Sequence, residues 1–196
     1  MKDEVLPREA SGELVWGGGE SATLLHPLDP GARPHLGRVA ALLEEIGVVG
    51  DHTAGNQGPR FSEWMQWRES KPPRWEVVQR DRIRIEAPRG AERPVVLVSN
   101  DVDPPTCPAC GAFVGPALEI HDRLEETVGK AMLACPGCQE RFAVHALDWG
   151  HWLGVASTWV WLADFDPGLG RPSDALLATL EEATGTAWTW TWLPKF

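Results

Sequence analysis

At 196 residues, with 43% hydrophobic and 23% charged residues, the chain has the composition of a globular protein large enough for one core, or for a core carrying a small module. Eighteen Lys and Arg against 28 Asp and Glu give a net charge of -10, which repels phosphate backbones and makes nucleic acid the less expected partner. No apolar run approaches the roughly 20 residues of a membrane helix, and the charged start Met1-Lys2-Asp3-Glu4 lacks a secretory apolar stretch, so a soluble cytoplasmic protein is expected.

Residues 1–20 are polar and end in Gly17-Gly18-Gly19. No Lys-Ser/Thr pair follows, so the glycines read as a turn and not as a phosphate loop. A helix is expected over Arg33 to Ile46, where Leu36, Val39, Leu42, Leu43 and Ile46 recur at three- and four-residue steps. Pro34 suits its first turn and Gly47 its stop. Gly50 to Arg60 is a glycine-rich polar loop whose chemical side chains are Asp51, His52, Asn56 and Arg60, and it reads first as a connection. Trp64 and Trp67, one helical turn apart, read as core contacts.

Residues 71–93 form the one basic stretch, with Arg80, Arg82 and Arg84 alternating with other residues. Ile83 and Ile85 between the charges predict a strand buried on one face, joined through Pro88-Arg89-Gly90 to a second strand at Val95 to Val98 in a hairpin. The arginine face reads as solvated, with an anion or acidic partner as the alternative.

All four cysteines lie in two copies of one phrase, Cys107-Pro108-Ala109-Cys110 and Cys135-Pro136-Gly137-Cys138. Each phrase brings two thiolates onto one tight turn, and two turns supply the four soft ligands of a closed tetrahedral zinc site. A disulfide framework would need an oxidising compartment, and a dithiol redox site needs only one pair. Iron is the competitor for the same sulfurs. Ala117 to His121, Lys130 to Ala134 and Arg141 to Val144 predict three short strands around the knuckles. Residues 105–146 resemble a two-knuckle zinc ribbon, a family widespread in transcription and translation, which implies a fold and a structural Zn2+ but no activity.

Across the end of the ribbon, His145, Asp148 and His151 could serve a second metal or a base with its orienting carboxylate. Steps of three and six turn them away from one another on a helix, and Gly150 interrupts one. Ser157 to Asp164 predicts a strand with Trp159 and Trp161 on one face. A helix capped by Ser173 follows through Ala183, with Leu176, Leu177 and Leu180 as its stripe and Gly185 as its stop. Thr186 to Leu193 predicts a strand with Trp188, Trp190 and Trp192 on one face. This strand–helix–strand unit should have its strands parallel or separated by another strand, with the helix over the tryptophans. The phrases PHLGRVAALLEEIG and PSDALLATLEEATG are alike enough to be two related helix units.

The expected architecture is α+β: a mixed sheet with amphipathic helices and an inserted zinc ribbon. The expected organisation is an N-terminal α+β segment (1–104), the ribbon (105–146) and a C-terminal βαβ segment (147–196) packing with the first. Fourteen Arg against four Lys follow the usage of GC-rich bacterial genomes. The expected role is a bacterial protein-binding or adaptor module with structural zinc held by Cys107, Cys110, Cys135 and Cys138. One alternative is a nucleic-acid-associated ribbon factor using Arg80, Arg82 and Arg84. The other is a hydrolase using His145, Asp148 and His151 with Asp51 or His52. No Gly-x-Ser-x-Gly, His-Glu-x-x-His or Walker phrase occurs, and an enzyme is the minority reading.

Overall fold

The computed structural model describes residues 22–50, 57–68, 84–85, 89–98, 103–116, 120, 132–163, 165 and 170–193. The fold is α+β. Its main sheet is built from β1 (Ala22–Pro27), β3 (Arg84–Ile85), β4 (Arg89–Val98), β7 (Leu153–Ala163) and β9 (Trp188–Leu193), in the order β3-β7-β1-β9 with β4 also pairing with β7. Two smaller pairs join β2 (Met65–Trp67) to β8 (Gly170–Pro172) and β5 (Met132–Ala134) to β6 (Arg141–Ala143). All these neighbour pairs are antiparallel. The mixed character lies between β7 and β9, which both run antiparallel to β1 and hence parallel to each other across it. The βαβ unit therefore exists with β1 inserted between its strands.

β1 is the central element, and all six of its residues are buried. Its Ala-Thr-Leu-Leu-His-Pro run does not alternate because both faces are covered, as in strands sandwiched between layers. On one face Leu25 joins Val160, Leu162, Trp188 and Trp190 under the two helices, α1 (Leu36–Glu45) and α2 (Asp174–Thr184), which contribute Val39, Leu43, Leu176 and Leu180. On the other face Leu24 packs with Leu97, Ala156, Trp159 and Leu193, and Trp161 lies against them.

Both helices follow their expected stripes. The first begins at Leu36, later than the periodicity reaches back, because Pro34 disfavours helical geometry at Arg33 and His35 takes the cap, its side chain accepting the Arg38 N–H at 3.3 Å. In the second, the Ser173 hydroxyl accepts the Leu176 N–H at 3.2 Å and Gly185 closes the helix at φ 73°, a left-handed geometry natural to glycine. The two related phrases pack as neighbouring helices on the same core. Trp188 and Trp190 are 6% and 8% exposed, so the tryptophan strand is core beneath α2, with Trp192 half-buried beside it.

Three expectations change. Trp159 and Trp161 pack with Leu24, Leu97, Ala156 and Leu193 on the face away from the helices, so of the β7 and β9 tryptophans α2 covers only those of β9. Arg84–Ile85 and Arg89–Val98 do not form a hairpin with each other. Arg84 faces Ala163, Ile85 faces Leu162 and Arg89 faces Trp159, so both run in one direction along β7. Long β7 offers a ladder of backbone groups that either segment satisfies better than a tight turn would, and the register breaks between Gly90 and Val95. Trp64 and Trp67 are not helical neighbours either: a 3-10 turn (Phe61–Trp64) gives way to β2 at Met65. Both indoles still pack on the core, their N–H groups donating to the Ile46 and Ser62 carbonyls. Gly17 to Gly19, Asp51, His52, Asn56, Arg80 and Arg82 lie outside the described residues, while Arg60 pairs with Glu63 at 2.8 Å.

The sheet also curls back on itself. Trp192 donates its backbone N–H to the His151 carbonyl at 2.8 Å, and His151 Nδ1–H donates to the Trp190 carbonyl at 2.9 Å, its ring stacked on the Trp190 indole at 3.9 Å. The residues leading into β7 thereby occupy the free edge of β9, which an unpaired strand would otherwise expose. Inside the curl, a Cβ on Gly154 would stand 2.5 Å from both His26 Nε2 and Thr191 Oγ1, so only glycine fits there.

His26 is 3% exposed. Its Nδ1 lies 2.9 Å from the Pro27 carbonyl, which can only accept, so Nδ1 carries the proton and Nε2 accepts the Thr191 hydroxyl at 2.9 Å. Burial lowers its pKa to about 4, against the Pro27 carbonyl, which favours the cation, and with His151, which repels it. The unfolded chain takes up this proton from pH 6.5 downward and the folded chain only near 4, so stability is full above pH 6.5 and falls as pH drops between these values. The loss should reach about 3 kcal/mol, and His26→Gln should flatten that part of a denaturant-measured stability–pH profile. Trp190→Ala should cost about 3 to 5 kcal/mol, read as a fall in the denaturation midpoint; an unchanged midpoint would remove this strand from the core.

Candidate metal centre

Each knuckle is a tight turn fixed by two backbone bonds. In the first, the Cys107 N–H donates to Ala112 O at 2.9 Å and the Gly111 N–H to Cys107 O at 2.8 Å. In the second, the Cys135 N–H donates to Glu140 O at 2.8 Å and the Gln139 N–H to Cys135 O at 2.9 Å. The residue after each closing cysteine takes a left-handed backbone, Gly111 at φ 69° and Gln139 at φ 63°. Glycine holds that geometry freely; Gln139 is further held by its side-chain amide, which donates to Pro136 O at 3.2 Å.

Because β5 and β6 pair antiparallel, the second knuckle is a hairpin loop. The first is tied to the chain beyond the ribbon by Thr106, which exchanges two backbone bonds with Asp148 at 2.9 and 3.0 Å. Beneath them, Val144, Leu147 and Trp149 pack with Ile120 and with Val96, Leu153 and Val155 of the main sheet. The two-knuckle segment expected to be a ribbon thus shares a core with the sheet. Ile120 is helical, its N–H donating to Pro116 O at 3.3 Å, so the expected first ribbon strand is not extended at this residue. The rest of Ala117 to Ala131 lies outside the described residues.

The knuckles bring all four sulfurs within 4.8 Å of one another. Cys107 and Cys138 Sγ lie 3.8 Å apart, and Cys110 and Cys135 Sγ 3.5 Å apart. A regular tetrahedron with metal–sulfur bonds of ~2.3 Å has edges of ~3.8 Å, so the cluster is spaced to hold one metal ion. Disulfide sulfurs would sit about 2.05 Å apart, and all four are free thiols. The site is half-sunk: Cys107 and Cys135 are buried, Cys110 and Cys138 exposed.

At Cys135 the surroundings already favour a thiolate. The Cys138 backbone N–H, acting against burial and joined by the Gly137 N–H and the Cys110 and Cys107 thiols, holds Cys135 down to about 6. At Cys138 the Glu140 N–H pulls the same way, but burial and the other three thiols overcome it and push that thiol up to about 12. Four adjacent sulfurs cannot all hold negative charge without a cation, so metal binding displaces protons and strengthens as pH rises.

Among the described residues this is the one group of three or more His, Cys, Asp or Glu able to hold a metal. His145, Asp148 and His151 form no such group, and His145 Nδ1 is buried without a hydrogen-bond partner. Asp148 Oδ1 accepts the Gly150 N–H at 2.9 Å, and His151 stacks on Trp190. His145 is half-buried beside Asp29, and burial lowers its pKa against that carboxylate. The sequence reading missed the buried His26–Thr191 pair, whose signal was a polar residue inside an apolar run. It also missed Phe113, 69% exposed just after the first knuckle, and Met132, 48% exposed on β5. Comparison with family models, curated proteins and solved structures gives no match to this chain.

Two glycines separate conformation from packing. A Cβ on Gly111 meets nothing within 4 Å, so Gly111→Ala should cost about 1 kcal/mol from its backbone alone and leave metal stoichiometry unchanged. A Cβ on Gly137 would stand 2.9 Å from Ala112 Cβ and 3.3 Å from Cys110 Sγ. Gly137→Ala should therefore push the knuckles apart and weaken metal retention in a chelator competition, and equal retention in both variants would contradict this packing.

Proposed function

We propose that this is a protein-binding or adaptor protein whose ribbon, held by one structural zinc ion, is the surface it presents to a protein partner. The observation that carries this reading is the pair of exposed apolar side chains, Phe113 and Met132, on the module that the four sulfurs organise. Apolar side chains left in water on a rigid platform are suited to becoming the buried centre of a contact. The ligand chemistry supports zinc: four thiolates at tetrahedral spacing, with no imidazole or carboxylate in the set. Four protein ligands leave no coordination position for water or substrate, so the site supports a structural role over a catalytic one. A net charge of -10 supports a protein partner over a nucleic acid.

Metal analysis of purified protein should return one zinc per chain, and Cys135→Ala should release it and lower the ribbon's unfolding midpoint. Zinc-free protein with intact thiols would overturn the structural-zinc reading. Affinity capture from the native host should recover a defined protein with the intact chain and lose it with Phe113→Ser/Met132→Ser, while zinc content and unfolding midpoint hold. Equal capture by both, or salt-sensitive binding to nucleic acid that falls with Arg84→Ala, would reject this surface as the functional one.

A further inference from the structure

The four sulfurs are unequal in access. Cys110 and Cys138 face solvent, whereas Cys107 and Cys135 are buried. The residues at the two turn tips, Pro108, Ala109, Pro136 and Gly137, are exposed and uncharged, so Cys110 lies on the solvent side of the cluster among neutral neighbours. Across the knuckles, Cys135 Sγ lies 3.5 Å from Cys110 Sγ and accepts the Gly137 N–H at 3.3 Å. Bringing these two sulfurs to bonding distance, about 2.05 Å, takes a closure of roughly 1.5 Å between two short turns.

We propose that Cys110 is an oxidation site for hydroperoxides and that Cys135 resolves it, forming a disulfide across the two knuckles that ejects the metal. This rests on reading the four thiols as a metal centre. In the first step the Cys110 thiolate attacks one peroxide oxygen. The O–O bond breaks, leaving Cys110 as a sulfenic acid, and the departing hydroxide takes a proton to become water. In the second step the Cys135 thiolate attacks the Cys110 sulfur. The S–S bond forms, the S–O bond breaks, and a second hydroxide leaves and is protonated. Two thiolates are oxidised by two electrons in all, and one hydrogen peroxide becomes two waters. Cys107 and Cys138 alone cannot retain a tetrahedral ion. The exchanged constraint is covalent: a link between residues 110 and 135 replaces a coordination centre joining the same turns, so the ribbon stays closed while its metal is given up.

The test uses the intact chain, with zinc content measured first. Hydrogen peroxide is titrated in while a chromogenic chelator follows zinc release, and the product is digested without reduction for mass mapping. Expected is loss of one zinc and two titratable thiols per chain, with peptides 110 and 135 linked and the mass lowered by two hydrogens; dithiothreitol should restore both thiols and zinc binding. Zinc and all four thiols retained under excess peroxide, a link within one knuckle (107–110 or 135–138), or irreversible sulfinic acid at Cys110 would each overturn the proposal. Protein that carries no zinc at the start overturns the metal reading instead, and the disulfide mapping then still decides whether Cys110 and Cys135 pair. Because Cys110→Ser removes a metal ligand as well, the wild-type mapping is the deciding result.

Discussion

The eleven-residue strand β7 takes part in every apolar cluster of the described structure. Val160 and Leu162 lie under the helices, Ala156 and Trp159 inside the curl of the sheet, and Leu153 and Val155 beneath the ribbon. One strand can do this because it is long and because different stretches of it face different partners: β1 and β3 at its C-terminal end, β4 along the remainder. The coupling has a mechanical consequence. A disturbance of the knuckles reaches the sheet through Trp149, Leu153 and Val155 over a continuous set of packed side chains. The ribbon is thus bolted to the scaffold at its base and free at its turns.

That placement gives the cysteine cluster its character. The buried sulfurs, Cys107 and Cys135, sit on the scaffold side, and the exposed ones, Cys110 and Cys138, on the solvent side. A wholly buried four-thiolate site would be protected from oxidants but hard to load. A wholly exposed one would gain little rigidity from its neighbours. The half-sunk arrangement combines a preorganised turn geometry, set by the paired backbone bonds at Cys107 and Cys135, with access for ions and small solutes.

Polar groups inside the fold are arranged for neutrality. His26 is locked in one tautomer between the Pro27 carbonyl and the Thr191 hydroxyl, a pairing that satisfies both ring nitrogens without charge. Thr23 donates to the Phe165 carbonyl and Ser157 to the Pro30 carbonyl, which pins the loops at either end of the sheet. Such pairings make the interior specific, since a shifted register would leave each of these groups without a partner.

Local chemistry was legible in the sequence wherever it was decided by neighbours in the chain. The Cys-Pro-x-Cys phrases fixed two turns and the four thiols they bring together. The leucine stripes of α1 and α2 fixed their buried faces, and Ser173 and Gly185 the ends of the second helix; alternation marked Trp188 and Trp190 for the face that α2 covers, but not Trp159 and Trp161, which pack on the opposite face. What only the tertiary structure decided concerns partners distant in the chain. Ala22–Pro27 carries no alternation, because it is buried on both faces, and its place between β7 and β9 depends on strands more than 130 residues away. The pairing of Arg84 and Arg89 with β7 was likewise set by an open ladder that no local pattern announces. The exposure of Phe113, and the separation of His145, Asp148 and His151 into unconnected roles, follow from how the ribbon docks. The sequence states which residues want burial, a cap or a metal; which of them meet is a property of the closed sheet.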